Sequence, residues 1–132
     1  MLDHIGFPVS DVARSKAFYI AALAPLKYVP IVVDEDNAGF GHPGRPQFWI
    51  GTGKPFTGRL HVAFLADDRA AVQAFYAAAL KAGGTDNGAP GLRPEYHASY
   101  YAAFVLDPDG HNIEAVCHFP GKFQDQFSNA DA

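Results

Sequence analysis

Apolar and polar residues alternate over Asp3–Val9, which puts Ile5, Phe7 and Val9 on one face of a half-buried strand. The period then changes from that of a strand to that of a helix. Ser10-Asp11 supplies capping chemistry, and Ala13, Ala17, Phe18, Ala21 and Ala22 recur at helical spacing from Val12 to Leu23, with Pro25 as the stop. Short apolar runs at Tyr28–Val33, Ala38–Gly41 and Pro46–Gly51 read as three more strands. Turn-rich Asp34–Asn37 and Gly41–Arg45 separate them.

After a Gly-rich link, Gly51–Gly58, the pattern starts again. A strand is expected over Arg59–Ala66, a cap at Asp67-Asp68, and a helix over Ala70–Ala82 ended by Gly83-Gly84. Thr85–Pro94, dense in Gly, Pro, Asp and Asn, reads as a loop. Ser99–Leu106 and His111–His118 read as strands around the tight turn Asp107-Pro108-Asp109-Gly110. The repetition extends to the residues themselves. His61–Leu80, moved back by 57 positions without a gap, matches His4–Leu23 at ten of twenty positions, His4/His61 and Tyr19/Tyr76 among them. Such density means one β-α-β-β-β unit used twice. We therefore expect one domain, 1–118, with a first unit over about 2–51, a second over about 58–118, and a tail, 119–132. The second unit is a few residues longer, which places an insertion in Gly88–His97, and a longer loop often lines a site.

Composition narrows the function classes. With 132 residues, nearly half of them apolar, the chain can bury a real core. A net charge of −4 and no basic run give no footprint for nucleic acid. No apolar stretch approaches a membrane span, and the N-terminus lacks a charged-then-apolar leader pattern. The single Cys117 cannot form an internal disulfide, so a cytoplasmic location is expected.

Three features carry chemistry. Each unit opens on a histidine, and pairing of the units about a pseudo-twofold axis would bring His4 and His61 together. Glu114 shares a strand face with Val116, and a carboxylate facing an interior needs a cation or hydrogen-bond partners. Two imidazoles and a carboxylate suit a divalent first-row ion with positions left open. The run Arg93-Pro-Glu-Tyr-His-Ala-Ser-Tyr-Tyr101 concentrates donors and acceptors. It reads either as a wall in which His97 or a tyrosine acts as general acid/base while Arg93 binds a carboxylate or phenolate, or as a polar surface loop. His42, His111 and His118 read as solvated, and Cys117 as facing away from Glu114.

The doubled strand-His unit with its Phe-Tyr helix, closed by Asp107-Pro-Asp-Gly-His-Asn-Ile-Glu-Ala-Val116, resembles the vicinal-oxygen-chelate superfamily of glyoxalases, bleomycin-resistance proteins, extradiol dioxygenases and fosfomycin-resistance transferases. The resemblance spans residues 2–118. It implies an α+β fold in which two βαβββ modules form a curved, barrel-like mixed sheet with helices outside. It also implies metal ligands at His4, His61 and Glu114, and a fourth within Gln47–Trp49. No Asp, Glu or His lies between Gly44 and His61, so Gln47 is the only substitute. The function implied is a small metal-dependent lyase, isomerase or extradiol-type dioxygenase using Fe, Mn, Ni or Zn. A small oxygen-rich or aromatic molecule would be its substrate. His97 and Tyr100 are the catalytic candidates, and Arg93, Tyr96, Tyr101, Trp49 and Gln47 the substrate contacts. The alternative is a metal-free binding protein that sequesters an aromatic compound. The resemblance further implies a homodimer, for which Phe119–Phe127 is a candidate contact.

Overall fold

A computed structural model describes residues 2–121 of the chain. Its first unit comprises β1 (Ile5–Pro8), α1 (Val12–Leu23), β2 (Val29–Val33), β3 (Asn37–His42) and β4 (Arg45–Gly51). The second comprises β5 (His61–Leu65), α2 (Arg69–Lys81), β6 (Thr85–Leu92), β7 (Tyr101–Leu106) and β8 (Asn112–Cys117). Both helices start by the same local chemistry. The Asp11 carboxylate accepts from the Arg14 N–H at 3.1 Å, and Asp68 accepts from the Ala71 N–H at 2.8 Å. Past α1, a 3₁₀ turn at Ala24–Leu26 ends on Lys27 in the left-handed region, φ 63°, which redirects the chain into β2.

Each unit builds a four-stranded sheet of the same order, β1-β4-β3-β2 and β5-β8-β7-β6. The first and last strands of each unit are parallel neighbours, and the rest pair antiparallel. The expected α+β architecture of two βαβββ modules is present. Its sheets are curved and not closed into a barrel.

One expected loop is a strand. Thr85–Leu92 pairs with β7 despite its turn-like composition, through two register shifts, at Asp86/Gly88 and Gly88/Gly91. Gly88 has φ 151°, and a Cβ there would meet the Phe104 ring at 2.9 Å and the Arg93 guanidinium at 3.2 Å. The glycines that read as loop are bulge residues admitting two side chains over the strand. The insertion falls nearby. Register equates Gly6 with Ala63, 57 residues apart, but Trp49 with Glu114, 65 apart, so the second unit gains eight residues. Five lengthen the link between β6 and β7, residues 93–100 against Asp34–Asp36 in the first unit, and three lengthen β6 itself, which has eight residues against five in β2.

A single apolar core runs through both units. Phe18, Tyr19, Phe40, Phe48 and Phe75 are fully buried, and Phe48 meets Phe7 at 5.5 Å and Phe64 at 5.3 Å in edge-to-face contacts. Polar contacts join the units at one turn. The Tyr19 hydroxyl and the His111 and Asp109 N–H groups donate to Asp107, while Ser10 donates to Asp109 through both its N–H and its hydroxyl. Burial and the Asp107 carboxylate push the Tyr19 hydroxyl well above the usual phenol range. His111, expected to be solvated, is 1% exposed. Its Nδ1 accepts from the Leu60 N–H at 3.0 Å, so the ring braces β5 against β8. No described helix is long and apolar enough to cross a membrane.

Candidate functional site

Strand alternation sorts the residues of the second sheet. Ile113, Ala115 and Cys117 point into the core, and the intervening Asn112, Glu114 and Val116 occupy the opposite face. Glu114 therefore lies in a row across three strands, Ala63–Glu114–Phe104. It is 2% exposed, and both its oxygens are engaged. The Tyr100 hydroxyl donates to Oε2, and His61 Nε2 stands 3.1 Å from Oε1. Burial, then the bond to Glu114 and its charge, push the Tyr100 hydroxyl above the phenol range and keep it a donor.

The His61 ring is oriented by its other nitrogen, which lies 3.0 Å from the Asn112 carbonyl oxygen. A carbonyl only accepts, so Nδ1 carries a proton and, in the neutral ring, Nε2 presents its lone pair to Glu114. Two acceptors then face one another across 3.1 Å, and that arrangement is stable only with a proton or a cation between them. The donor set suits a metal ion. Two ligands about 2.1 Å from one ion and at right angles lie about 3 Å apart, and an Nδ1–H bonded to a backbone carbonyl is the usual outer support of a ligating histidine.

The third donor assigned by resemblance does not join them. His4 Nδ1 is 2.8 Å from Asp3, and among the described residues no three His, Cys, Asp or Glu side chains cluster closely enough to hold an ion. His4 and His61 do line one groove of about 450 Å³ between β1 and β5, floored by Tyr28, Phe48 and Gln47. The Gln47 Oε1 accepts from the Tyr28 hydroxyl at 2.9 Å.

The first unit fills the row equivalent to the glutamate's with Gly6–Trp49–Gly39. The register makes Trp49, and not Gln47, the counterpart of Glu114. Its indole lies flat over Gly39, where a Cβ would stand 2.8 Å from the ring, and it lines a second groove of about 390 Å³ with His4 and Arg45.

The inserted segment forms a wall beside Glu114. The Tyr100 ring contacts Tyr96 at 4.8 Å, His97 at 5.4 Å and His118 at 5.1 Å. His97 Nδ1 accepts from the Ser99 N–H, so its Nε2–H donates to His118 Nδ1 at 2.9 Å. His118, read from sequence as merely solvated, is thus the anchor of His97. Arg93 folds back to donate to the Gly91 and Ala89 carbonyls, each at 2.8 Å, with its guanidinium 5.4 Å from the Phe104 ring centre.

Of the expected substrate contacts, Tyr101 points elsewhere. It packs toward α2, its hydroxyl accepts from Gln73 at 2.9 Å, and Arg69 stacks on its ring. The reason is alternation: Tyr101 pairs with Cys117, on the core-facing side. Sequence reasoning missed Phe104, which stacks on His61 at 6.4 Å and becomes Glu114's neighbour only through pairing of β7 with β8. Cys117 faces away from Glu114 as expected, into the core, and burial raises its thiol. The proposed contact Phe119–Phe127 lies for the most part outside the described residues.

Comparison with known proteins agrees with this architecture. The model of the Glyoxalase/Bleomycin resistance protein/Dioxygenase superfamily matches residues 32–115. A glyoxalase/bleomycin resistance protein from Albidiferax ferrireducens is 33% identical, with a TM-score of 0.78 over 88% of this chain and 98% of its own. Two others share the fold at lower identity. Fosfomycin resistance protein FosX from Mesorhizobium loti is 20% identical, with a TM-score of 0.65 over 97% of this chain and 98% of its own. Lactoylglutathione lyase from Agrobacterium tumefaciens is 18% identical, with a TM-score of 0.63 over 88% and 92%. No protein among the curated sequences matches the chain.

Proposed function

The chain belongs to the glyoxalase/bleomycin resistance protein/dioxygenase superfamily, and from that premise we propose that it is a small metal-dependent enzyme. Its chemistry is that of a lyase, isomerase or extradiol-type dioxygenase, and its substrate a small oxygen-rich or aromatic molecule. The observation that carries this reading is the His61–Glu114 pair. A buried carboxylate and a lone-pair nitrogen face each other at 3.1 Å, with the nitrogen's tautomer set by the Asn112 carbonyl. His61 and Glu114 would hold a divalent Fe, Mn, Ni or Zn ion, which when bound would supply Lewis-acid polarisation of neighbouring substrate oxygens.

The chain's own groups handle protons and orientation. Tyr100 holds its proton on Oη toward Glu114, and His97 holds one on Nε2, relayed to His118. Tyr96, 63% exposed, offers an aromatic face beside them, and Arg93 keeps a positive charge against Phe104. Trp49 and Gln47 line the grooves around His4, where an aromatic substrate can stack. The third ligand, His4, comes from a second copy in this reading. Its ring is well exposed, the His61 side chain is half exposed, and Ile5 and Leu65, which line the same groove, present uncovered apolar surface beside them. A homodimer in the cytoplasm is therefore proposed.

Elemental analysis tests the reading, on protein purified without chelator or metal resin beside His61→Ala and Glu114→Ala. About one ion per chain in the parent, lost from both variants, is expected. A parent that is metal-free and refuses added Mn, Fe, Ni and Zn overturns it. Sedimentation of a metal-loaded monomer at micromolar concentration would overturn the shared ligand set alone.

A second reading draws on Trp49. A tryptophan at the position equivalent to Glu114 suits a metal-free cavity that sequesters a planar aromatic compound. Under it, His61→Ala keeps ligand affinity, whereas a metal enzyme loses turnover.

A further inference from the structure

A buried carboxylate can offer a metal ion one oxygen or two, and the choice decides how many positions stay open for water or substrate. Glu114 is not free to choose in this structure. Its Oε1 faces His61 Nε2, and its Oε2 accepts the Tyr100 hydroxyl. We propose that Tyr100 is a positioning residue that holds Oε2 and so restricts Glu114 to one-oxygen ligation through Oε1, keeping a further position on the ion open. This rests on the metal-dependent reading above and concerns the same ion.

The argument turns on what aims the hydroxyl. Tyr100 closes the β6–β7 link, which is five residues longer than its first-unit counterpart Asp34–Asp36. That segment is braced by contacts that do not involve Glu114. The Arg93 N–H donates to the Tyr100 carbonyl at 2.8 Å, and the Tyr96 N–H to the Arg93 carbonyl at 3.0 Å. The His97–His118 bond ties its tip to the residue directly after β8, the strand that carries Glu114. Tyr96, His97 and His118 then enclose the Tyr100 ring on several sides. The phenol is thus pre-aimed by a scaffold fixed to Glu114's own strand, and its bond to Oε2 costs little extra ordering. A packing role alone would be met by phenylalanine. The hydroxyl is what differs.

Mn(II) serves as the probe, with Tyr100→Phe compared to the parent chain. Two quantities are read: the Mn(II) dissociation constant, and the number of exchangeable waters on bound Mn(II) from water-proton relaxation. Freed of its donor, Oε2 becomes a second ligand atom. The variant should carry one water fewer than the parent, and its affinity should shift by roughly 10-fold or more, the scale on which outer partners act. His118→Ala loosens the same scaffold without touching Glu114 and should move the water count in the same direction. A parent that binds Mn(II) while Tyr100→Phe keeps both its affinity and its water count overturns this inference and leaves the metal-dependent reading standing. A parent that binds none of Mn(II), Fe(II), Ni(II) and Zn(II) overturns both.

Discussion

The two units place the same backbone under opposite contents. Across β1-β4-β3 the row reads Gly6–Trp49–Gly39, and across β5-β8-β7 it reads Ala63–Glu114–Phe104. In the first unit the large side chain is on the central strand and glycines flank it, so an indole spreads over its neighbours and covers the sheet. In the second, the large ring has moved to the flanking strand, and a carboxylate stands on the central one. That carboxylate is buried by His61 and by a segment much shorter in the first unit. A duplicated frame thus carries a buried carboxylate at this row on one side only. The difference lies in which strand of the row bears the bulk, not in the fold of either unit.

The sharpest way to break this comparison is to remove the two central residues in turn. Glu114→Ala should cost metal affinity by more than the roughly 10–100-fold typical of an outer partner. Trp49→Ala should leave metal content unchanged, as metal analysis after dialysis would show. Equal loss in both would mean the units share the site symmetrically.

Next in size is the packing of the first row. A methyl at Gly39 would meet the indole at 2.8 Å, so Gly39→Ala should cost about 1–3 kcal/mol in urea denaturation. In a Trp49→Ala background that cost should vanish, because the obstacle is gone.

The repeat-equivalent tyrosines differ as well. Tyr19→Phe deprives a buried carboxylate of a donor and should cost about 1–3 kcal/mol. Tyr76→Phe, at the matching position of α2, should stay within about 0.5 kcal/mol. Equal costs would erase the distinction between the tyrosine that bonds across units and the one that does not.

The smallest effect is on alkaline stability. The folded state holds the Tyr19 proton to higher pH than the unfolded chain, so it binds more protons above about pH 10 and stability must fall there as pH rises. Denaturation midpoints between pH 8 and 11 should decline, with a slope of at most about 1.4 kcal/mol per pH unit from this group. Tyr19→Phe should flatten that limb.

Local signals account for what the sequence showed well. Helix α1 begins and ends where the Asp11 cap and the Ala-Pro pair put it, because capping and proline act within a few residues. Glu114 was placed with Val116 on one face by alternation, which needs only its own strand. Strand β6 stayed hidden since its glycines serve β7's side chains, and no local rule reports a partner's ring. Tyr101 looked like part of the wall because it adjoins Tyr100 in sequence, yet one step along a strand reverses the face. His111 looked solvated in its turn, although pairing with the Leu60 N–H buries it.

The sequence by itself therefore determined the elements, their duplication and the kinds of chemical group available, since periodicity and capping are local. Only the tertiary structure decided that Trp49 answers to Glu114, that His61 turns its Nε2 toward that carboxylate, and that Tyr100 holds the other oxygen. Each of those outcomes depends on register between strands far apart in the chain, and a carbonyl or hydroxyl supplied from another strand is what orients the ring or the carboxylate.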